Sequence, residues 1–197
     1  MDTYRTITSP SEAVFTEKRS KFLAFAFPVE TLDEVKELIA DYSKKFFDAR
    51  HVCYAYMLGH ERTVFRANDN GEPSGTAGKP ILGQINSLQL TNVLVIVVRY
   101  FGGIKLGTSG LIVAYRQAAR EALEAAEIIE LHATSDISFT FSYPSMNDVM
   151  KLTRLPGLKI IDSKFDNLCS MKVRVELDRV DNFISQLLKI EGVEVKD

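Results

Sequence analysis

The sequence predicts an α+β protein of two domains, and three features of the 197-residue chain point there. A continuous apolar run of β-branched residues and Leu at 93–98 has the composition of a strand covered on both faces. Around it, apolar residues recur at helical spacing in segments long enough to pack on a sheet. After residue 131 the pattern changes to short strands and short helices in the order β-α-β-β-α-β.

Hydrophobic residues make up 46% of the chain and charged residues 25%, a balance that can bury a core without staples. The net charge of −2 gives no global field toward nucleic acid or an anionic membrane. Cys53 and Cys169 are far apart and form no C-x-x-C, so neither a disulfide framework nor a structural zinc site is expected. Free cysteines fit a reducing cytosol. The N-terminus has no basic segment followed by an apolar one, and the run at 93–98 is too short to span a bilayer. A soluble cytoplasmic protein with no membrane partner is expected.

Each element follows from residue type and spacing. Residues 12–16 and 21–29 read as strands around the basic turn EKRSK, with Phe22, Phe25 and Phe27 as heavy apolar residues. Thr31 and Glu34 make a capping box. Leu32, Val35, Leu38, Ile39, Tyr42 and Phe46 then recur at helical spacing. Residues 51–58 read as a strand with 63–66 as hairpin partner, across a turn at Gly59 and His60. Residues 68–80 break every periodicity. Pro80 is tolerated only in a first helical turn, so Thr76 or Gly78 is expected to cap a helix through about Gln89. Arg99, Tyr100, Phe101 and two glycines end the apolar strand. A long helix follows from about Thr108 to Ile129, with Ala114, Ala118, Ala122 and Ala125 keeping one face thin.

In the last third, Ile137, Phe139, Phe141 and Tyr143 alternate with Ser138, Thr140 and Ser142. A helix at about 145–154 is stopped by Pro156 and Gly157. Strands at 158–165 and 169–177, a helix at about 179–190 and a strand at 193–196 complete a ferredoxin-like β-α-β-β-α-β order. The domains are drawn as 1–132 and 133–197, where the acidic end of the long helix gives way to LHATSD.

Two glycine-rich loops each precede a helix, where backbone N–H groups welcome an anion. The first loop supplies Asp69, Asn70, Gly71, Glu72, Ser74, Gly75, Thr76 and Gly78. The second supplies Arg99, Tyr100, Gly102, Gly103, Lys105, Gly107, Thr108 and Ser109, and Lys79 and Arg116 add charge from the two helices. Between Arg62 and Arg120 there are seven basic and two acidic residues, a local positive excess inside an acidic chain. Turns and a solvated face are the plainer account of the same residues. Arg99 beside Tyr100 and Phe101 suits phosphate and base stacking, while both aromatics equally suit a core plug. In the C-terminal sheet Lys172 and Arg174 alternate away from Cys169, Met171, Val173 and Val175. With Ser138, Thr140 and Ser142 they make a polar face that lacks the aromatics of an RNA-recognition motif.

Known phosphate motifs fail on spacing. A P-loop requires Ser or Thr after Gly-Lys, where Pro80 stands, and a glycine where Pro73 stands. The glycines at 102, 103 and 107 miss the dinucleotide spacing. LGTSGL at 106–111 loosely resembles the phosphate loop of small-molecule kinases of the galactokinase and mevalonate kinase type, with no other kinase element present.

His51, Cys53, His60, Asp69 and Glu72 are the clustered reactive types. His51 and Cys53 share a strand face, as a base and nucleophile would, but a Cys in an apolar strand reads as core. Asp69 and Glu72 lie in a segment with the composition of a tight turn. His132 stands alone near the domain boundary. No triad, zinc box or kinase set is complete, so no catalytic residue, metal or cofactor is assigned.

RYFGGIKLGTSGL at 99–111, DNGEPSGTAGKPIL at 69–82, and Gly83, Gln84 and Ile85 ahead of the apolar run closely resemble the signature of the Impact family, whose bacterial branch is called YigZ. The resemblance covers the whole chain, densest over 51–120 and weak beyond 131. It implies an N-terminal domain of ribosomal protein S5 domain 2-like fold and a ferredoxin-like C-terminal domain, a pairing similar to the last two domains of elongation factor G. Eukaryotic Impact proteins restrain the amino-acid starvation kinase of translation initiation by binding its ribosome-associated activator. They carry an RWD domain that these 197 residues lack, so that role is not expected here. The resemblance implies association with translation, through RNA or a ribosome-associated protein. A non-enzymatic regulator is the leading expectation. An enzyme acting on a phosphorylated or other small molecule and a protein-interaction module are the alternatives.

Overall fold

The apolar run becomes the central strand of a five-stranded sheet. The computed structural model describes residues 3–196. In it, β2 (Ser11–Glu17), β3 (Ser20–Pro28), β4 (His51–Leu58), β5 (Val64–Asn68) and β6 (Val93–Tyr100) line up as β2-β3-β6-β4-β5, with every neighbour antiparallel. Side chains alternate across β6: Val93, Val95 and Val97 face one apolar layer, and Leu94, Ile96 and Val98 face the other. All six are fully buried. A fully apolar strand thus reported cover on both faces, and not the strand direction, because burial is what selects its residues. Each such side chain contributes about 1.5–3 kcal/mol of transfer free energy.

Helices α2 (Gly78–Ser87) and α3 (Gly107–Glu124) cover the first face. Ala114, Ala118 and Ala122 of α3 let it lie close on β2 and β3, where Ala24 and Ala26 are equally small. Helix α1 (Leu32–Lys45) covers the second face, packing Val35, Leu38, Ile39 and Tyr42 on Phe25 and Phe27. Its capping box forms as expected: Glu34 N–H donates to Thr31 Oγ1 at 3.2 Å, and Thr31 N–H to Glu34 Oε2 at 3.3 Å. Leu32, expected on the buried face, is exposed at the first turn.

Two strands escape the sequence reading. The long helix stops at Glu124, not near Ile129, and residues from Ile128 form β7 (Ile128–His132), which pairs with β1 (Thr3–Ile7). The β-branched Ile128 and Ile129 continue the apolar helical pattern. Their partner strand lies at the other end of the chain, where local periodicity cannot see it.

The chain divides into two compact units, Tyr4–Leu131 and a second that joins Thr3 to the residues from His132 onward. The second unit contains β8 (Thr134–Phe141), α4 (Met146–Thr153), β9 (Leu158–Lys164), β10 (Cys169–Glu176), α5 (Val180–Leu187) and β11 (Val193–Lys196). Its antiparallel sheet has the order β11-β8-β10-β9. Ile137, Phe139, Phe141, Met171 and Val173 pack beneath Val149, Phe183 and Leu187 of the two helices. Tyr143 does not extend this face: a short 3-10 turn begins there, and the ring is exposed. Thr140, expected on the open polar face, is buried.

Candidate functional site

The first glycine-rich loop folds back over the start of β4. Asp69 to Glu72 is a tight turn, closed by Glu72 N–H donating to Asp69 O at 3.0 Å, with Asn70 and Gly71 in left-handed backbone. His51 and Cys53, on one face of β4, meet this turn separately. His51 Nδ1 lies 2.8 Å from Asn70 O; a carbonyl only accepts, so Nδ1 carries the proton. Cys53 Sγ donates to Asp69 O at 2.9 Å. Burial pushes the Cys53 thiol up to about 12, with the Glu72 and Asp69 charges adding to it and the Tyr115 hydrogen bond opposing it. A thiol so protonated is no nucleophile near neutral pH.

The turn also performs the capping that Thr76 or Gly78 was expected to perform. Asp69 Oδ1 accepts from Ala77 N at 3.0 Å and Gly78 N at 2.8 Å, and Oδ2 accepts from Gly75 N at 2.8 Å. Burial alone would raise the Asp69 carboxyl. The N–H groups of Gly75, Gly78 and Ala77, with the Lys79 charge, outweigh it and hold the group below the usual range. Thr76 is buried and donates to Pro73 O. Gly78 packs on the β5 backbone, where a Cβ would stand 2.5 Å from Asn68 N. The N-terminus of α2 therefore carries its own carboxylate, and Ser74 beside it is exposed.

Glu72 is the buried centre of the network. Oε1 accepts from Arg99 Nη1 at 2.7 Å and from Tyr115 Oη at 2.8 Å. Oε2 faces His51 Nε2 at 4.0 Å. Burial and the Glu72 and Cys53 charges raise the Tyr115 hydroxyl far above its ordinary range, so it serves as a donor. Arg99 lies over the Phe22 and Phe101 rings, each 5.7 Å away, and its buried Nε has no hydrogen-bond partner among the described residues. Tyr100 alternates to the opposite face and donates to Asp48 Oδ1 at 2.8 Å, packing beside the α1 layer. The expected trio of Arg99, Tyr100 and Phe101 is thus split by strand alternation. Phe101 is 56% exposed.

The second loop is open where the first is closed. Gly102 is a packing residue, because a Cβ there would meet Arg19 C at 2.0 Å. Gly103 and Gly107 take left-handed backbone in open space. Helix α3 begins without a side-chain cap and without an acidic residue in its first turn, and Thr108 and Ser109 are exposed there. A cleft of about 400 Å³ opens at this end, lined by Arg50, His51, Glu72, Arg99, Phe101 and Lys105 together with Gly107 and Thr108. Lys79 and Arg116 line a different concavity, with Gly75 and Gln84.

Three of the seven basic residues have side-chain partners. Arg99 pairs with Glu72 and Arg120 with Glu124, while Arg62 donates to Asn86 Oδ1. Lys172 and Arg174 lie on the exposed face of their sheet, at 3.6 Å and 2.8 Å from Asp136. The Arg174 hydrogen bond pulls the Asp136 carboxyl down against its desolvation. Among the described residues no cluster of three or more His, Cys, Asp or Glu is arranged to hold a metal, and no helix is long and apolar enough to cross a membrane.

Tyr115 and Arg50 escaped the sequence reading. Tyr115 sits among the apolar residues of α3 and reads as core, and Arg50 precedes β4 with no motif around it. A polar-tipped aromatic on an apolar helix face was the available signal for Tyr115.

Residues 18–123 match the family model of the Impact N-terminal domain. The chain is 35% identical over 145 residues to the IMPACT family member YvyE of Bacillus subtilis, covering 71% of this chain and 67% of that protein. It is 28% identical over 189 residues to the IMPACT family member YigZ of Escherichia coli, covering 95% and 93%. A crystal structure described as that of a hypothetical protein aligns with a TM-score of 0.80 at 26% identity, covering 99% of this chain and 97% of that one. The family match spans more than half of the chain and both relatives carry the family's name: the protein belongs to the Impact family.

Proposed function

We propose that this protein is a non-enzymatic, cytoplasmic regulator that works with the translation machinery and binds RNA in the cleft at the start of α3. One observation carries the reading: the uncapped N-terminus of α3 opens into the same cleft as Lys105, Arg50 and the exposed ring of Phe101. Helix-end N–H groups and cations hold phosphate, and an aromatic face accepts a base. The buried Cys53 thiol and the internally satisfied Asp69 favour binding over catalysis. Family membership supports the link to translation that the sequence motifs imply.

On the same reading residues 1–132 take the ribosomal protein S5 domain 2-like fold and residues 133–197 the ferredoxin-like fold. The β-α-β-β-α-β element order and the sheet order β11-β8-β10-β9 support the second assignment.

Co-sedimentation with ribosomes through sucrose gradients tests the function. The native chain is expected in the ribosomal fractions at low salt, and Lys105→Glu with Arg50→Glu is expected to release it. Arg116→Glu, in the other concavity, is expected to change little. A chain that stays at the top of the gradient at low salt, or one indifferent to the cleft substitutions, rules the reading out.

A further inference from the structure

Two charges in the cleft have no ion-pair partner among the described residues. Arg50 and Lys105 line it, both are exposed, and neither makes an ion pair among the described residues, whereas Arg99 is neutralised by Glu72. The open end of α3 adds about half a positive charge. Together they suit the charge of about −1.5 to −2 on a terminal phosphomonoester, more than the single charge of an internal phosphodiester.

Two buried side chains also line the cleft, and each carries an atom with no hydrogen-bond partner among the described residues. Arg99, 8% exposed, lines the cleft; its Nε is enclosed and has no hydrogen-bond partner among the described residues. Glu72 is equally buried; its Oε2 stands 4.0 Å from His51 Nε2, beyond hydrogen-bond reach. A carboxylate oxygen here repels a bare anion and calls for a ligand O–H. Phe101 presents a ring backed by the Arg99 guanidinium. The cleft, at about 400 Å³, has room for one small ligand, since such sites span about 300–1,000 Å³.

We propose that this cleft binds one nucleotide bearing a terminal phosphate. The phosphate sits at Lys105 and the first turn of α3, a ribose hydroxyl donates to Glu72 Oε2, and the base lies against Phe101. The proposal rests on the reading of this cleft as the binding surface, and narrows its ligand to a phosphorylated RNA end or a free nucleotide.

Isothermal titration of the full chain compares adenosine monophosphate with adenosine, and a short RNA with and without a terminal phosphate. Adenosine monophosphate is expected to bind at least about tenfold more tightly than adenosine, a difference of about 1.4 kcal/mol. Lys105→Glu and Phe101→Ala, both at exposed positions, are each expected to remove most of that binding. Preference for the phosphorylated RNA assigns the ligand to an RNA end. Indifference between the two RNAs, with adenosine monophosphate still preferred over adenosine, assigns it to a free nucleotide. Equal binding of each phosphorylated ligand and its dephosphorylated counterpart overturns the proposal, even where ribosome co-sedimentation persists. Loss of co-sedimentation with nucleotide binding intact overturns only the link to translation.

Discussion

Arg99 donates to Glu72 across 2.7 Å with both side chains buried, joining the end of β6 to a loop twenty-seven residues earlier in the chain. Tyr115 of α3 donates to the same carboxylate oxygen, so sheet, loop and helix converge on one group. Such a pair adds little net stability when intact but is costly to halve. Arg99→Met is expected to lower the unfolding free energy by about 3–5 kcal/mol, because Glu72 is left charged and buried. Glu72→Gln in the same chain should recover part of the loss. Urea titrations of the four proteins of this cycle measure the coupling. Simple addition of the two single losses would mean that the pair is not a unit.

Asp69 caps α2 from outside the helix. Asp69→Ala is expected to cost about 1–2 kcal/mol. The effect depends on pH in a defined direction. The folded-state pKa lies below the unfolded one, so the stabilisation is complete above the unfolded value of about 3.9 and fades as pH falls from there through the folded value. Native and variant stability curves, measured by thermal melting, should therefore converge in acid and stand apart near neutral pH. Parallel curves down to strong acid would contradict the assignment.

Two glycines of the second loop are predicted to differ. Gly102→Ala puts a Cβ into the Arg19 and Ser20 backbone and is expected to cost about 1–3 kcal/mol or more. Gly107 has room for a Cβ but a φ of +71°, and an alanine there is expected to cost about 1–2 kcal/mol, the lower part of the range for Gly102. Comparing the two melting temperatures tests the ranking. The reverse order would show that the close approach at Gly102 relaxes easily.

Cys53 is expected to resist iodoacetamide in the native state near neutral pH and to react on denaturation, because its thiol is buried and pushed up to about 12. The same shift favours the folded state below the unfolded thiol pKa of about 8.5, and that advantage fades as pH rises from there toward the folded value. Mass spectrometry of alkylated peptides reads the first effect. Rapid native labelling at Cys53 would mean that the loop at 69–72 opens.

The sequence alone determined what residue type and short-range spacing encode. Apolar and aromatic runs placed β4 and β6, helical spacing placed α1, the pattern after residue 131 gave the β-α-β-β-α-β order of the second unit, and Thr31 with Glu34 announced its own capping box. The glycine motifs carried the family. Only the tertiary structure decided which groups meet. It placed Asp69, not Thr76 or Gly78, at the end of α2, and it paired β1 with β7. It turned Tyr100 away from Arg99, brought Arg50 to the cleft, and sent Lys79 and Arg116 elsewhere. Secondary structure reports each residue's own burial and backbone preference, which neighbours in sequence reveal. A binding site consists of contacts between residues far apart in the chain, and those exist only once the sheet has set its strand order and its two faces.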